Sequence, residues 1–321
     1  MKIPIADLHC DLLSYIALDN TKNVNDSASR CSLPQLQEGN VQFQTLAVFS
    51  ETKADSVQWA EKQIEAFCSL SQGFDRVNHL HPLKVTHKVQ VALAIENASC
   101  LCIEEEPLEA CFNRLERLCT HAGPIVYISL TWNQENRFGG GNLSQKGLKP
   151  DGEQLLHFLD GKKIAIDLSH TSDALAEDIL NYIDKKSLKL LPLASHSNFR
   201  SVCRQLRNLP DFVAKEIVKR GGVIGINLFR HFLGESVRDI SRHVEHALYL
   251  GALDHYCFGA DFFYEQISLH SLYPRPYFHD ELSNSGCYPH LLSHLKSLCG
   301  QKEIENIAFG NARAFFERLC G

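Results

Sequence analysis

The stretch Lys163-Ile164-Ala165-Ile166-Asp167-Leu168-Ser169-His170 passes from a nearly continuous apolar run into a polar tip, and Ser172 then precedes Leu175, Ile179, Tyr182 and Ile183 at helical spacing. A short run of Ile, Ala and Leu without alternation suits a parallel strand buried on both faces. Ser172 is the expected cap of the helix that follows. The same unit recurs along the chain, with apolar runs at 3–8, 41–49, 89–95, 125–132, 190–195, 222–229 and 256–262 making eight with 163–168. Helical periodicity fills the gaps, as at Val237, Ile240, Val244 and Leu248. Eight strands alternating with helices predict an α/β fold, a single (β/α)8 TIM-type barrel over residues 1–321, because right-handed crossovers close at that number.

Chemistry in such a barrel collects at the C-terminal ends of the strands. The first run ends Asp7-Leu8-His9-Cys10-Asp11, where strand alternation is expected to turn Asp7, His9 and Asp11 to one side and Leu8 and Cys10 to the other. The third ends in Glu96, the fifth in Asp167-Leu168-Ser169-His170, the sixth in Ser195-His196-Ser197 and the eighth in Gly259-Ala260-Asp261. A single His at a strand end is ordinarily a hydrogen-bonded structural residue, and Glu96 alone could cap a helix. That so many independent strand ends finish in ligand-type residues points instead to a metal site. Imidazole with carboxylate suits Zn²⁺ and related ions, and a Glu between two clusters can bridge a pair. Two ions about 3.5–4 Å apart can hold a hydroxide and polarise a carbonyl, so metal-assisted hydrolysis is the expected reaction class. His243 and His246 lie far from the strand tips and read as solvated or core-edge residues. Gly139-Gly140-Gly141 fits no phosphate fingerprint and reads as a flexible loop.

The chain's 321 residues could form one large domain or two ordinary ones, and the uninterrupted alternation favours one. With 44% hydrophobic and 22% charged residues, the composition excludes disordered, collagenous and coiled-coil classes. A net charge of −6 argues against nucleic acid as a partner. No apolar run reaches the ~18 residues of a membrane span, and Asp7, His9 and Asp11 stand where a secretory segment would be apolar. The expectation is a cytoplasmic protein without membrane attachment. Twelve cysteines with no C-x-x-C pair are expected to be free thiols. The segment 267–290, with Pro274, Pro276 and Pro289, reads as a long loop forming a site wall or lid.

With these residues in place, the chain resembles the membrane dipeptidase (renal dipeptidase) family of binuclear zinc peptidases among the amidohydrolase-like barrels. The likeness runs nearly end to end. It rests on Asp7-Leu8-His9-Cys10-Asp11, Ile95-Glu96-Asn97, Ile166-Asp167-Leu168-Ser169-His170, Ser195-His196-Ser197-Asn198 with Arg207-Asn208-Leu209-Pro210-Asp211, Gly259-Ala260-Asp261-Phe262, and Gly310-Asn311. The resemblance implies that His9 and Asp11 bind one zinc, His170 and His196 the other, and that Glu96 bridges them. It further implies that Asp261 is the acid/base partner of a bridging hydroxide and that Arg207 receives the substrate's terminal carboxylate. Trp132 stands where relatives such as the renal enzyme carry a substrate-contacting His, and Phe263 where the family often has another acid. The implied function is metal-dependent hydrolysis of dipeptides by two divalent ions, most naturally Zn²⁺. The alternatives are another small-amide hydrolase of the same superfamily and a metal-retaining binding protein without turnover. The partner implied is a small dipeptide, with a homodimer left open.

Overall fold

Strands that are apolar on both faces need cover on both, and the chain supplies it by closing them into a ring under helices. The computed structural model describes residues 2–265 and 273–321. Among them one sheet contains β1 (Ile5–Cys10), β2 (Val41–Phe49), β3 (Phe74–Arg76), β4 (Val89–Glu96), β5 (Ile125–Ser129), β6 (Ala165–Asp167), β7 (Pro192–Leu193), β8 (Ile224–Ile226) and β9 (Tyr256–Phe258). The parallel order is β7-β6-β5-β4-β2-β1-β9-β8. A bridge between Ala194 and Ile224, with Gly225 N–H donating to the Ala194 carbonyl at 2.7 Å, joins the two ends. All eight predicted runs contribute, so the (β/α)8 expectation is met. Strand β3 is an addition: it pairs Phe74 with Val89 through Arg76 with Val91, along the part of β4 before β5 begins pairing at Leu93. Only Phe74 of its three residues is buried, which is why no apolar run announces it.

The helix Asp173–Lys186 begins as its sequence dictates, with the Ser172 hydroxyl accepting from Leu175 N–H at 2.9 Å and Leu175, Ile179, Tyr182 and Ile183 buried. The helix Asp239–Tyr249 buries Ile240 and Val244, but Leu248 is 60% exposed, so the predicted apolar stripe ends one turn early. His243 is a core residue: Phe199 N–H donates to its Nδ1 and its Nε2 donates to the Leu233 carbonyl, while burial draws its pKa down to about 4. His246 pairs with Asp211 at 2.9 Å. The glycine run departs from expectation. Gly139–141 is buried and held by bridges from Gly139 to Leu148 and from Gly141 to Thr171, and a Cβ on Gly141 would overlap the Trp132 carbonyl. These glycines permit close packing rather than flexibility.

A small-residue core of Ala6, Ala92, Ala94 and Ala165 is completed by Phe309, Phe315 and Phe316 around the C-terminal helix Asn311–Cys320. That helix lies at the starts of the strands: Phe316 packs on Phe43 with ring centroids 5.0 Å apart, and Arg318 donates to the Gly221 carbonyl just before β8. It therefore closes the end of the barrel opposite the ligand-bearing tips. None of the twelve cysteines is in a disulfide. Among the described residues no helix is long and apolar enough to cross a membrane. Of the predicted loop 267–290, residues 267–272 lie outside the described residues; the remainder forms short turns and the helix Tyr288–Leu295.

Phe316→Ala is expected to destabilise the fold by about 3–5 kcal/mol through loss of burial and an unfilled cavity. Guanidinium unfolding should show a lower midpoint with an unchanged slope. A loss below about 1 kcal/mol would mean that the helix does not plug the barrel.

Candidate metal centre

Strand β1 does not alternate simply through its tip. Asp7 pairs with Gln44 and Cys10 with Leu46, so three residue steps on β1 oppose two on β2, which is a β-bulge. As a result Asp7 leaves the site. Its carboxylate accepts from the backbone N–H of His9 at 3.0 Å and of Ala260 at 3.1 Å, and from the hydroxyl of Tyr288 on an outer helix. The expectation that Asp7 shares a face with His9 and Asp11 is thus corrected, while His9 and Asp11 do reach the mouth. Beyond β9, Asp261 N–H donates to the His9 carbonyl at 3.2 Å and Asp11 N–H to the Phe262 carbonyl at 2.9 Å, stitching the eighth tip to the first. Asn97, His170 and Asp261 take left-handed φ values of 76°, 65° and 63°. Such turns are disfavoured for residues with a Cβ and are sustained here by the surrounding bonds.

The five predicted ligands and Asp261 converge. Glu96 Oε2 lies 3.4 Å from His9 Nε2, while Glu96 Oε1 lies 3.0 Å from His170 Nε2 and 3.6 Å from His196 Nε2. Two ligand groups result, His9–Asp11–Glu96 and Glu96–His170–His196, with Glu96 common to both. A third combination, His9–His196–Asp261, places Asp261 Oδ1 3.7 Å from His9 Nε2.

The outer faces of the rings decide what their inner faces can do. His9 Nδ1 lies 2.6 Å from the Tyr127 hydroxyl, which donates its own proton to the Leu8 carbonyl; Nδ1 must therefore carry the hydrogen. Likewise the Ser195 hydroxyl donates to Asp167 Oδ2 and receives from His196 Nδ1, both at 2.6 Å. His170 Nδ1 faces Asn133 Oδ1 at 2.9 Å, with the amide orientation assigned from this network. In the neutral rings each Nε2 is then a bare lone pair. His170 Nε2 and His196 Nε2 nevertheless stand 3.0 Å apart, beside a carboxylate oxygen. Acceptors do not cluster without a donor or a cation, and two nitrogens on one tetrahedral ion are about 3.3 Å apart. His9 Nε2 and Asp11 Oδ1 are buried with no hydrogen-bond partner. The residues present therefore fit divalent metal ions.

Electrostatics agree. Burial opposes charge on His9, yet the carboxylates of Glu96, Asp11 and Asp261 hold its pKa at about 10. Burial and the nearby Arg207 take His170 down to about 3. Burial also opposes ionisation of Glu96, but the neighbouring imidazoles, His9 foremost, hold it well below its usual value. Burial and the Glu96 charge push Asp11 well up. Asp261 rises to about 6, first through burial and then through Glu96, against the opposing pull of His9, Arg207 and Asn227.

Above this floor lies a cleft walled by Phe49, Trp132, Phe229, Phe232, Phe263 and Tyr273. Trp132 is half-buried, 5.1 Å from the Phe49 ring and 6.0 Å from that of His170. Arg207 is buried behind the wall: Nη1 donates to Ser197 Oγ at 2.7 Å, Nη2 to the His196 carbonyl at 3.0 Å, and Nε has no partner. The orienting residue Tyr127 was missed in the sequence; its only signal is a hydroxyl inside the aliphatic run Ile125-Val126-Tyr127-Ile128. Asn227 was missed as well, although its Nδ2 donates to Asp261 Oδ2 at 2.9 Å and holds that carboxylate over the site.

A closed parallel barrel with a buried histidine–carboxylate cluster at its strand tips defines a (β/α)8 protein with a candidate metal centre. Among such barrels, the chain belongs to the membrane dipeptidase family (peptidase family M19), which it matches over residues 1–318. It is 25% identical to dipeptidase 3 of Rattus norvegicus over 341 aligned positions covering 98% of this chain and 65% of that protein. The fold resembles a metallo peptidase from Rhodobacter sphaeroides, solved with a phosphinate mimic of the dipeptide L-Ala-D-Ala, at a TM-score of 0.84 and 17% identity with 99% of each chain covered. It also resembles a probable dipeptidase from Pseudomonas aeruginosa, at a TM-score of 0.79 and 13% identity, covering 99% of this chain and 95% of that one. The chain spans between 35% and 65% of the length of the curated relatives it matches.

Because Tyr127 and Ser195 present the lone pairs of His9 and His196, Tyr127→Phe and Ser195→Ala are each expected to weaken metal binding about 10–100-fold. Competition against a chromophoric chelator measures this. Unchanged affinity in both variants would remove the orienting role.

Proposed function

We propose that the protein is a metal-dependent dipeptidase that hydrolyses the peptide bond of dipeptides with two divalent ions, Zn²⁺ being the natural choice for this donor set. The observation that carries this reading is the close approach of His170 Nε2, His196 Nε2 and Glu96 Oε1, three acceptors 3.0–3.6 Å apart with no donor among them. His9 and Asp11 would hold one ion, His170 and His196 the other, and Glu96 would give one oxygen to each. When bound, such a pair lowers the pKa of water and polarises a carbonyl oxygen.

The chain's own residues do the rest. Asp261, raised to about 6 and aimed by Asn227, is poised to take the proton of the attacking water and pass it to the leaving amine. Arg207, fixed through its two Nη atoms with Nε unpaired, serves as the receptor for the substrate's free carboxylate. Trp132 contributes wall area and an N–H that donates but neither accepts nor carries charge, which shifts stabilisation of the carbonyl oxygen to other groups. The reading treats residues 1–321 as one domain and takes the protein as cytoplasmic, a location supported by twelve unpaired thiols. The partner is a small dipeptide, and a homodimer is compatible with it.

Elemental analysis should find about two ions per chain in fully active protein. At most one would refute the paired centre. Asp261→Asn is expected to retain both ions and bind dipeptide while kcat falls at least about a hundredfold. Metal content and kcat must be measured on one preparation, because loss of metal with rescue by excess would make Asp261 a ligand instead. Arg207→Met should weaken dipeptide binding by about 2–5 kcal/mol, and C-terminal amides should be poor substrates of the unaltered enzyme. Equal hydrolysis of amides and free acids would refute that assignment.

A further inference from the structure

The cleft has two aromatic sides with different neighbours. Phe49 and Trp132 form one. Phe229, Phe232, Phe263 and Tyr273 form the other, with Phe229 at 4.8, 5.8 and 5.3 Å from the remaining three rings. Arg207 adjoins the second side, its Cζ 5.6 Å from the Phe232 ring. The cleft lining includes the carboxylates of Asp11, Glu51, Glu96 and Asp261, and no Lys or Arg is among the described lining residues.

We infer that the substrate's C-terminal residue carries a large apolar side chain, and that Phe229, Phe232, Phe263 and Tyr273 select it. The inference rests on the dipeptidase reading and on Arg207 as the carboxylate receptor. The Cα of the C-terminal residue is one bond from the carboxylate that Arg207 would hold, so its side chain emerges beside the Phe232 side of the cleft. A large apolar group there covers four rings. A short one leaves them wet, and a charged one would lose its hydration against rings that offer it no partner. Phe263 places a ring on this side of the cleft, so a basic side chain meets no carboxylate there.

The test is a panel of L-alanyl dipeptides ending in Ala, Leu, Phe, Asp and Lys, assayed on the zinc-loaded full chain, with binding of the matching phosphinate mimics measured in parallel. Leu and Phe are expected to exceed Asp, Lys and Ala in kcat/KM by at least about tenfold, with the same order in mimic binding. Tyr273→Ser and Phe263→Asp should each narrow the Phe-to-Asp ratio; metal content reports whether a variant is folded, and either variant suffices. A flat or reversed order in both hydrolysis and binding overturns the inference, as does a preference that both substitutions leave intact. If no dipeptide is cleaved but the mimics keep the predicted order, the inference is supported and the peptidase reading is what fails.

Discussion

A carboxylate that is 3% exposed and ringed by the lone pairs of three imidazoles cannot rest there without positive charge, and Glu96 is such a carboxylate. With Asp11 and Asp261 close by, the strand tips concentrate negative charge and acceptors where water is excluded. The same carboxylates raise the His9 pKa to about 10 against the effect of burial, the direction expected where positive charge is favoured. Metal ligands must be deprotonated to bind, so an ion taken up there would displace the His9 proton, and proton and ion compete for the same lone pair. The barrel supplies what the cluster lacks by itself: a closed ring that keeps side chains from five strands together against their mutual repulsion.

That ring works because orientation is enforced from outside the cluster. The histidines are aimed by separate elements: His9 by Tyr127 of β5, His196 by the Asp167–Ser195 pair across β6 and β7, and His170 by Asn133 beyond β5. A register slip in one strand would mis-aim a ligand held by another, so the parallel ladder and the ligand geometry specify each other. The bulge in β1 and the left-handed turns at Asn97, His170 and Asp261 oppose this order locally. The buried core beneath, closed by Phe315 and Phe316, offsets the strain, as expected where function overrides local preference.

The fold was legible because a doubly buried parallel strand has a plain signature, an unbroken apolar run, and all eight runs became strands of the ring. Ligand identities were legible for a related reason: His9, Glu96, His170 and His196 each interrupt apolar sequence at a strand tip, where a polar residue has no structural excuse. Asp7 shows the limit. Period-two alternation places it with His9, and only the bulge, which depends on how β2 pairs, turns it toward Tyr288. Tyr127 and Asn227 escaped notice because their roles exist only in three dimensions, as partners of atoms 118 and 34 residues away in the chain. The glycine run misled in the opposite direction, since absence of side chains serves close packing as readily as mobility.

Chemistry and selectivity come from different layers of this molecule. The floor is made by strand tips, where moving one side chain disturbs ligands on neighbouring strands. The walls come from segments beyond the strands, including Trp132, Phe232, Phe263 and Tyr273, whose rings line the cleft, with Phe232 packed on Tyr273 and Trp132 opposite them on Phe49. Substituting Trp or Phe in that layer changes what lies above the reacting centre while the acceptors below stay in place. Trp132 and Phe263 both stand in the walls. Each presents aromatic surface, so the two layers differ in kind: the floor gathers ligand-type groups, and the walls above it are largely apolar.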